Sequence, residues 1–192
     1  DFPDGAITGS TATVNIAWVE PADLQCEYLK NPLGLDVPRP RLSWKMGTTL
    51  TTRGQKQTAY QILVASSRAL LDKNEGDLWD SGRVDSGESV NIVYDGKPLA
   101  TGQKCFWKVR LVDEQGNWTS WSEPATWQMG LFADDWKARW IGSAEMESQS
   151  VAGRPIDNKM PDPWFRKTFT LSEAPQEALI YVASIGYHEL YV

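Results

Sequence analysis

The chain has 192 residues, with 19 Lys and Arg against 25 Asp and Glu and a formal net charge of −6. An acidic balance without a basic cluster excludes duplex nucleic acid as a partner, because a duplex binder must neutralise phosphates. The longest apolar run, residues 178–183, falls far short of the ~20 residues that span a bilayer.

Tryptophan is in excess, with ten in the chain, and it serves sandwich cores and sugar-binding faces alike. In chain order, residues 1–21 form an N-terminal extension, small and polar, with a short alternation at Val14, Ile16 and Trp18. It starts at Asp1 and holds no apolar signal segment, which fits a mature periplasmic or secreted protein and leaves a cytoplasmic one open. Leu24, Cys26 and Tyr28 then alternate with polar neighbours and predict a first strand. A Pro- and Gly-rich connection leads to Leu42, Trp44 and Met46, predicted to share one face of a second strand. Tyr60, Ile62 and Val64 predict a third, and a helical turn capped by Ser66 or Ser67 is expected over 67–74. Val90, Ile92 and Tyr94 predict another strand, and Cys105, Trp107, Val109 and Leu111 the inward face of a longer one. A last strand falls at 125–129, with turn signals such as Asp95-Gly96 and Gln115-Gly116-Asn117 between the elements. Six or seven short strands over 22–131 predict an all-β, two-sheet, fibronectin type III-like sandwich.

Composition shifts at Ala133-Asp134-Asp135-Trp136, where a second unit, 132–192, is expected to begin. Residues 145–163 are polar and predict a long loop. Strands are predicted at 164–171, at 178–185 as a buried central strand, and at 186–192. Three such strands do not make a stable domain alone, so this unit is expected to be the start of a second, incomplete β-sandwich.

Candidate chemistry is sparse. A Ser–His–Asp triad or a multi-His metal site has only His188 to build on, and that residue lies in a predicted strand. Asp72, Asp77, Asp80 and Asp85 sit in turn-rich segments, where Asp caps backbone. No catalytic pair is assigned and no metal site is expected. Asp157, Asn158 and Asp162 supply oxygen ligands of the kind calcium takes, but without the spacing of a calcium loop. Cys26 and Cys105 face inward and are either free buried thiols or a bridge in an oxidising compartment. Asn117-Trp118-Thr119 has the form of a glycosylation sequon. The segment Trp118-Thr119-Ser120-Trp121-Ser122 resembles the Trp-Ser-x-Trp-Ser box of fibronectin modules in cytokine receptors. That resemblance implies a structural cation–π ladder in which Lys108 and Arg110 interleave with Trp118 and Trp121.

Several longer segments resemble, in order, the N-terminal part of bacterial α-L-rhamnosidases, a family of inverting glycoside hydrolases. They are Leu24-Gln25-Cys26-Glu27-Tyr28-Leu29, Asn31-Pro32-Leu33-Gly34-Leu35-Asp36, Pro38-Arg39-Pro40-Arg41-Leu42-Ser43-Trp44 and Gln57-Thr58-Ala59-Tyr60-Gln61-Ile62-Leu63-Val64. Leu78-Trp79-Asp80-Ser81-Gly82, Cys105-Phe106-Trp107-Lys108-Val109-Arg110, Trp136-Lys137-Ala138-Arg139-Trp140-Ile141-Gly142, Trp164-Phe165-Arg166-Lys167 and Gly186-Tyr187-His188-Glu189-Leu190-Tyr191 continue the match. The resemblance implies a fibronectin-like sandwich, then a second sandwich, then a downstream α/α-barrel that carries the catalytic acids. The chain is therefore expected to be a non-catalytic, inactive fragment of an enzyme acting on rhamnose-containing glycans, packed against the catalytic domain. Trp140, Trp164 and Tyr187 are its candidates for stacking on sugar. A stand-alone carbohydrate- or protein-binding module and a purely structural spacer are the alternatives.

Overall fold

Alternation of apolar and polar residues selects strands, and the computed structural model shows which faces those strands bury. It describes residues 19–48, 54–142 and 163–192. The alternation at Val14, Ile16 and Trp18 and the calcium candidates Asp157, Asn158 and Asp162 lie outside the described residues. The chain divides into two units, Asp1–Leu131 and Phe132–Val192.

The first unit carries β1 (Val19–Cys26), β2 (Arg41–Thr48), β3 (Ala59–Ala65), α1 (Arg68–Asp72), β4 (Trp79–Asp80), β5 (Ile92–Val93), β6 (Lys104–Val112) and β7 (Ala125–Gln128). Two antiparallel sheets result, ordered β1-β2-β5 and β4-β3-β6-β7. This is the two-sheet, all-β sandwich that the periodicity predicts.

Period-two alternation feeds the space between the sheets. Leu42 and Trp44 come from one sheet, and Ile62, Val64, Cys105, Trp107, Val109, Leu111 and Trp127 from the other, all at most 2% exposed. Each buried indole removes roughly 150–250 Å² from water, worth on the order of 4–6 kcal/mol. Trp44 meets Tyr60 edge-on at 5.1 Å, and Tyr94 does the same with Trp79 and Trp127 at 5.4 and 5.9 Å. The Trp44 indole N–H donates to Gln57 Oε1 (3.0 Å). The Gln57 amide in turn donates to the carbonyls of Ser86 and Glu88 (3.0 and 2.8 Å). That exchange explains how a glutamine tolerates burial here.

Several strand limits differ from the periodicity. β1 ends at Cys26, and a bulge lies between Ala22 and Gln25, so Tyr28 leaves the strand and stands in solvent. Asn91 adopts φ 59°, which cuts β5 to two residues and leaves Val90 outside it, 52% exposed. Met46 lies beyond the covered core at 38% exposure. The helical turn is α1, whose cap is Ser67: its Oγ accepts from the Leu70 N–H (3.3 Å). Leu71 of α1 packs with Leu63 and Ala65 on the outer face of β3, so that strand is buried on both sides.

The Pro/Gly connection after β1 also has a structural job. Leu35 bridges Met129 in parallel, Gln128 donates to the Pro32 carbonyl (3.0 Å), and Gly130 donates to the Leu35 carbonyl (2.6 Å). This strip covers the free edge of β7, which would otherwise expose unpaired backbone. A Cβ on Gly130 would sit 2.8 Å from the Gly34 carbonyl oxygen, so the close approach requires glycine.

The second unit does not match its expected strands. A 3₁₀ turn spans Ala133–Asp135, and residues 163–192 carry neither strand nor helix. Residues 178–185, expected to be a buried central strand, include Leu179, Ile180, Val182 and Ile185 at 43–89% exposure. The pattern marks which side chains a sheet would bury, but a strand also needs a hydrogen-bonded neighbour, and the described residues of this unit supply none. No described helix is long and apolar enough to cross a membrane.

Candidate functional site

The outer face of β6 holds a cluster of aromatic and charged side chains. Alternation sends Lys104, Phe106, Lys108 and Arg110 to this face. Beside it, residues 118–122 run along β6 without forming a regular ladder. Trp118 bridges Val112, and the Thr119 and Ser122 N–H groups donate to the carbonyls of Leu111 (2.8 Å) and Val109 (2.9 Å). The hydroxyls complete the pairing: Thr119 Oγ1 accepts from the Leu111 N–H (3.0 Å) and Ser122 Oγ from the Val109 N–H (3.2 Å). The two hydroxyl residues thus replace ladder carbonyls, and this spacing leaves Trp118 and Trp121 pointing outward.

The Arg110 guanidinium lies 4.3 Å from the Trp118 ring centre and 4.7 Å from that of Trp121. Lys108 Nζ lies 5.1 Å from Trp121, and Arg83 lies 5.8 Å from Trp118. Arg83, Trp118, Arg110, Trp121 and Lys108 therefore alternate cation and ring. Arg110 is oriented by Gln61 Oε1 (3.0 and 2.6 Å), and the Gln61 amide donates to Asp80 Oδ1 (2.7 Å). Lys108 is only 6% exposed, because α1 covers it; its ammonium donates to the Leu71 carbonyl (2.6 Å) and Asn74 Oδ1 (2.7 Å). Desolvation holds its pKa below the usual lysine range. Arg83 and Asn74 belong to no motif of the sequence, and Gln61 stands only within the Gln57–Val64 segment that resembles rhamnosidases. Alternation around the Tyr60–Val84 bridge is the signal that places Arg83 outward.

The sugar-stacking candidates lie in the second unit and are exposed: Trp140 by 71%, Trp164 by 89% and Tyr187 by 87%. Trp164 stacks on Tyr191 with centroids 6.4 Å apart and planes 8° from parallel. The hydroxyls of Tyr187 and Tyr191 both donate to the Glu189 carboxylate, which lowers its pKa and raises theirs. Trp164 and Tyr187 are thus linked through Tyr191 and Glu189, whereas Trp140 makes no ring contact among the described residues. His188 Nδ1 shares a hydrogen bond with Ser184 Oγ (2.7 Å).

The carboxylates of the first unit hold structure together. Asp77 accepts from the Ser66 N–H and hydroxyl (2.8 and 2.7 Å), and Asp80 from the Gly82 N–H (2.8 Å). Asp72 pairs with Arg68 and Asp85 with Arg83, both at 2.7 Å. Asp23 takes Lys30 and Lys45, whose hydrogen bonds lower its pKa to about 2. Cys26 and Cys105 are buried free thiols, and burial pushes the first well above its usual range and the second to about 12. Neither is a thiolate nucleophile at ordinary pH. The exposed Asn117 is tied to Asp113 through its backbone N–H (2.8 Å) and its side-chain amide (3.4 Å). Among the described residues, no group of three or more His, Cys, Asp or Glu is placed to hold a metal.

Three- and four-stranded antiparallel sheets, packed face to face, define an immunoglobulin-type β-sandwich domain. Over residues 21–133 the chain matches the family described as the Rha78A-like, N-terminal immunoglobulin domain, and it belongs to that family. It is 39% identical over 161 residues to an alpha-L-rhamnosidase of Streptomyces avermitilis, and 40% over 162 residues to one of Formosa agariphila. Those alignments cover 77% and 83% of this chain but only 15% and 17% of the relatives. The crystal structure of the Streptomyces avermitilis alpha-L-rhamnosidase complexed with L-rhamnose aligns at 43% identity and a TM-score of 0.60. That match covers 65% of this chain and 12% of that one. The alpha-L-rhamnosidase from Dictyoglumus thermophilum aligns at 42% identity and a TM-score of 0.62, covering 66% and 14%.

Proposed function

We propose that the chain is the non-catalytic N-terminal region of an inverting α-L-rhamnosidase, which removes terminal α-linked L-rhamnose from glycosides or polysaccharides. The observation that carries this reading is identity of 39–40% sustained over 161 and 162 residues to proteins named alpha-L-rhamnosidase. Inverting hydrolysis needs one carboxylic acid to protonate the leaving oxygen and one carboxylate to activate water across the bond. Asp23, Asp72, Asp77, Asp80 and Asp85 are engaged with lysine, arginine, serine or backbone partners, which supports placing the catalytic pair elsewhere in the parent protein. The sandwich then serves as packing surface for the catalytic domain. The exposed rings of Trp140, Trp164 and Tyr187 give the second unit its sugar-recognition face. The proposal includes no cofactor, and it takes a periplasmic or secreted parent with a cytoplasmic one as the alternative.

The test compares the protein of the whole reading frame with the 192-residue chain on p-nitrophenyl α-L-rhamnopyranoside. The whole protein is expected to release nitrophenol and to form β-L-rhamnose first by NMR, while the chain alone leaves the substrate intact. An inert whole protein overturns this function.

A further inference from the structure

The turn after β1 is built from residues that its geometry disfavours. Cys26 and Leu29 exchange both backbone hydrogen bonds (2.9 and 3.0 Å) around a two-residue tip, Glu27-Tyr28, at φ 48° and 63°. Such tips favour Asn-Gly or Gly-Gly, because both residues lie in the left-handed region. Here a glutamate and a tyrosine are held there from outside. The Glu27 carboxylate accepts from the Arg41 backbone N–H (2.6 Å) and from its guanidinium (2.6 Å at the closest). Arg41 also lies 4.9 Å from the Tyr28 ring centre, and the Tyr28 hydroxyl donates to Asn91 Oδ1 (2.7 Å).

The turn starts from the buried Cys26, but its tip does not enter the core. It presents Tyr28 and Leu29 to solvent at 53% and 56% exposure. Val93, across the ladder from Arg41, and Val90, beside Asn91, are 46% and 52% exposed. A strained tip held around an arginine, a tyrosine and an apolar rim has the composition of an interface anchor. We propose that this Tyr28 knuckle is the point where the sandwich docks on the remainder of its own parent polypeptide. The proposal rests on the rhamnosidase reading above, in which the chain spans 15–17% of a longer protein. A partner from free solution needs an interface of about 1,200 Å² or more, and these few side chains offer far less. A tethered partner meets them at high effective concentration, so a small anchor suffices.

The test is hydrogen exchange of the whole-reading-frame protein and of the 192-residue chain, with rhamnoside hydrolysis assayed on the same preparation. Amides of residues 27–29 and 90–93 are expected to exchange about tenfold or more slowly in the whole protein. Tyr28→Gly and Leu29→Ser are expected to abolish that difference. Tyr28→Gly should leave the Tm of the 192-residue chain nearly unchanged, since the ease of glycine at this φ offsets the loss of the exposed Asn91 hydrogen bond and Arg41 contact. Equal exchange in an active whole protein overturns the docking and leaves the rhamnosidase reading standing. A Tm loss from Tyr28→Gly as large in the chain as in the whole protein also overturns it, by making Tyr28 a structural residue. Slowed exchange in a whole protein inert on rhamnosides supports the docking and overturns the reading.

Discussion

Replacing Arg110 with alanine removes the centre of the ladder. Its guanidinium serves two rings, at 4.3 and 4.7 Å, and donates twice to Gln61 Oε1. Each partly desolvated cation–π contact is worth about 0.5–2 kcal/mol, and hydrogen bonding by a charged donor about 1.5–3 kcal/mol. Because the contributions share one group and are not additive, the expected loss is about 2–4 kcal/mol. Urea unfolding of the 192-residue chain, followed by tryptophan fluorescence and far-UV circular dichroism, measures it. With a slope of about 1–1.5 kcal/mol per molar, the midpoint falls by roughly 2 M. Arg110→Lys keeps the charge but loses the flat fork, and should cost about half as much. Arg83→Ala, at the far end of the ladder and 5.8 Å from its ring, should cost less than about 0.5 kcal/mol. A midpoint unchanged by Arg110→Ala, or an equal loss from Arg83→Ala, refutes the ladder as a stabilising unit.

Gly130→Ala forces a Cβ against the Gly34 carbonyl and should lift the 32–35 strip from β7, costing about 1–3 kcal/mol by the same urea titration. Asp23 is ordinarily protonated near pH 3.8 but near 2 when folded. Its contribution is therefore complete above 3.8 and lost as pH falls through about 2. Asp23→Asn should flatten the fall in stability across that window, as read from Tm against pH. Cys26 and Cys105 are buried and free, so a thiol reagent should count none in the native chain and two after unfolding. A count of none in the unfolded chain would reveal a bridge.

The sandwich was legible because strand alternation also gives burial. Trp44, Trp107, Ile62 and Val109 sit inside wherever the period-two pattern puts them. Tyr28 and Val90 broke the pattern because Glu27, Tyr28 and Asn91 adopt left-handed backbone, which only the asparagine favours by residue type. Periodicity identifies the outward face of β6, but not that α1 folds over Lys108 and buries it. The place of Gln57 was hidden for a related reason: its partners, Trp44, Ser86 and Glu88, come from segments far apart in the chain. Residues 164–192 carry strand patterns, yet a pattern states which side would be buried and not which neighbour would bury it.

The most direct measurement is rhamnoside hydrolysis by three proteins: the whole reading frame, the 192-residue chain, and the whole reading frame with the 21–133 domain deleted. If this chain is the non-catalytic N-terminal region of an α-L-rhamnosidase, the first releases rhamnose and the second releases none. The third retains its chemistry, with reduced thermal stability. Hydrolysis by the 192-residue chain alone, or none by the whole protein, contradicts the account.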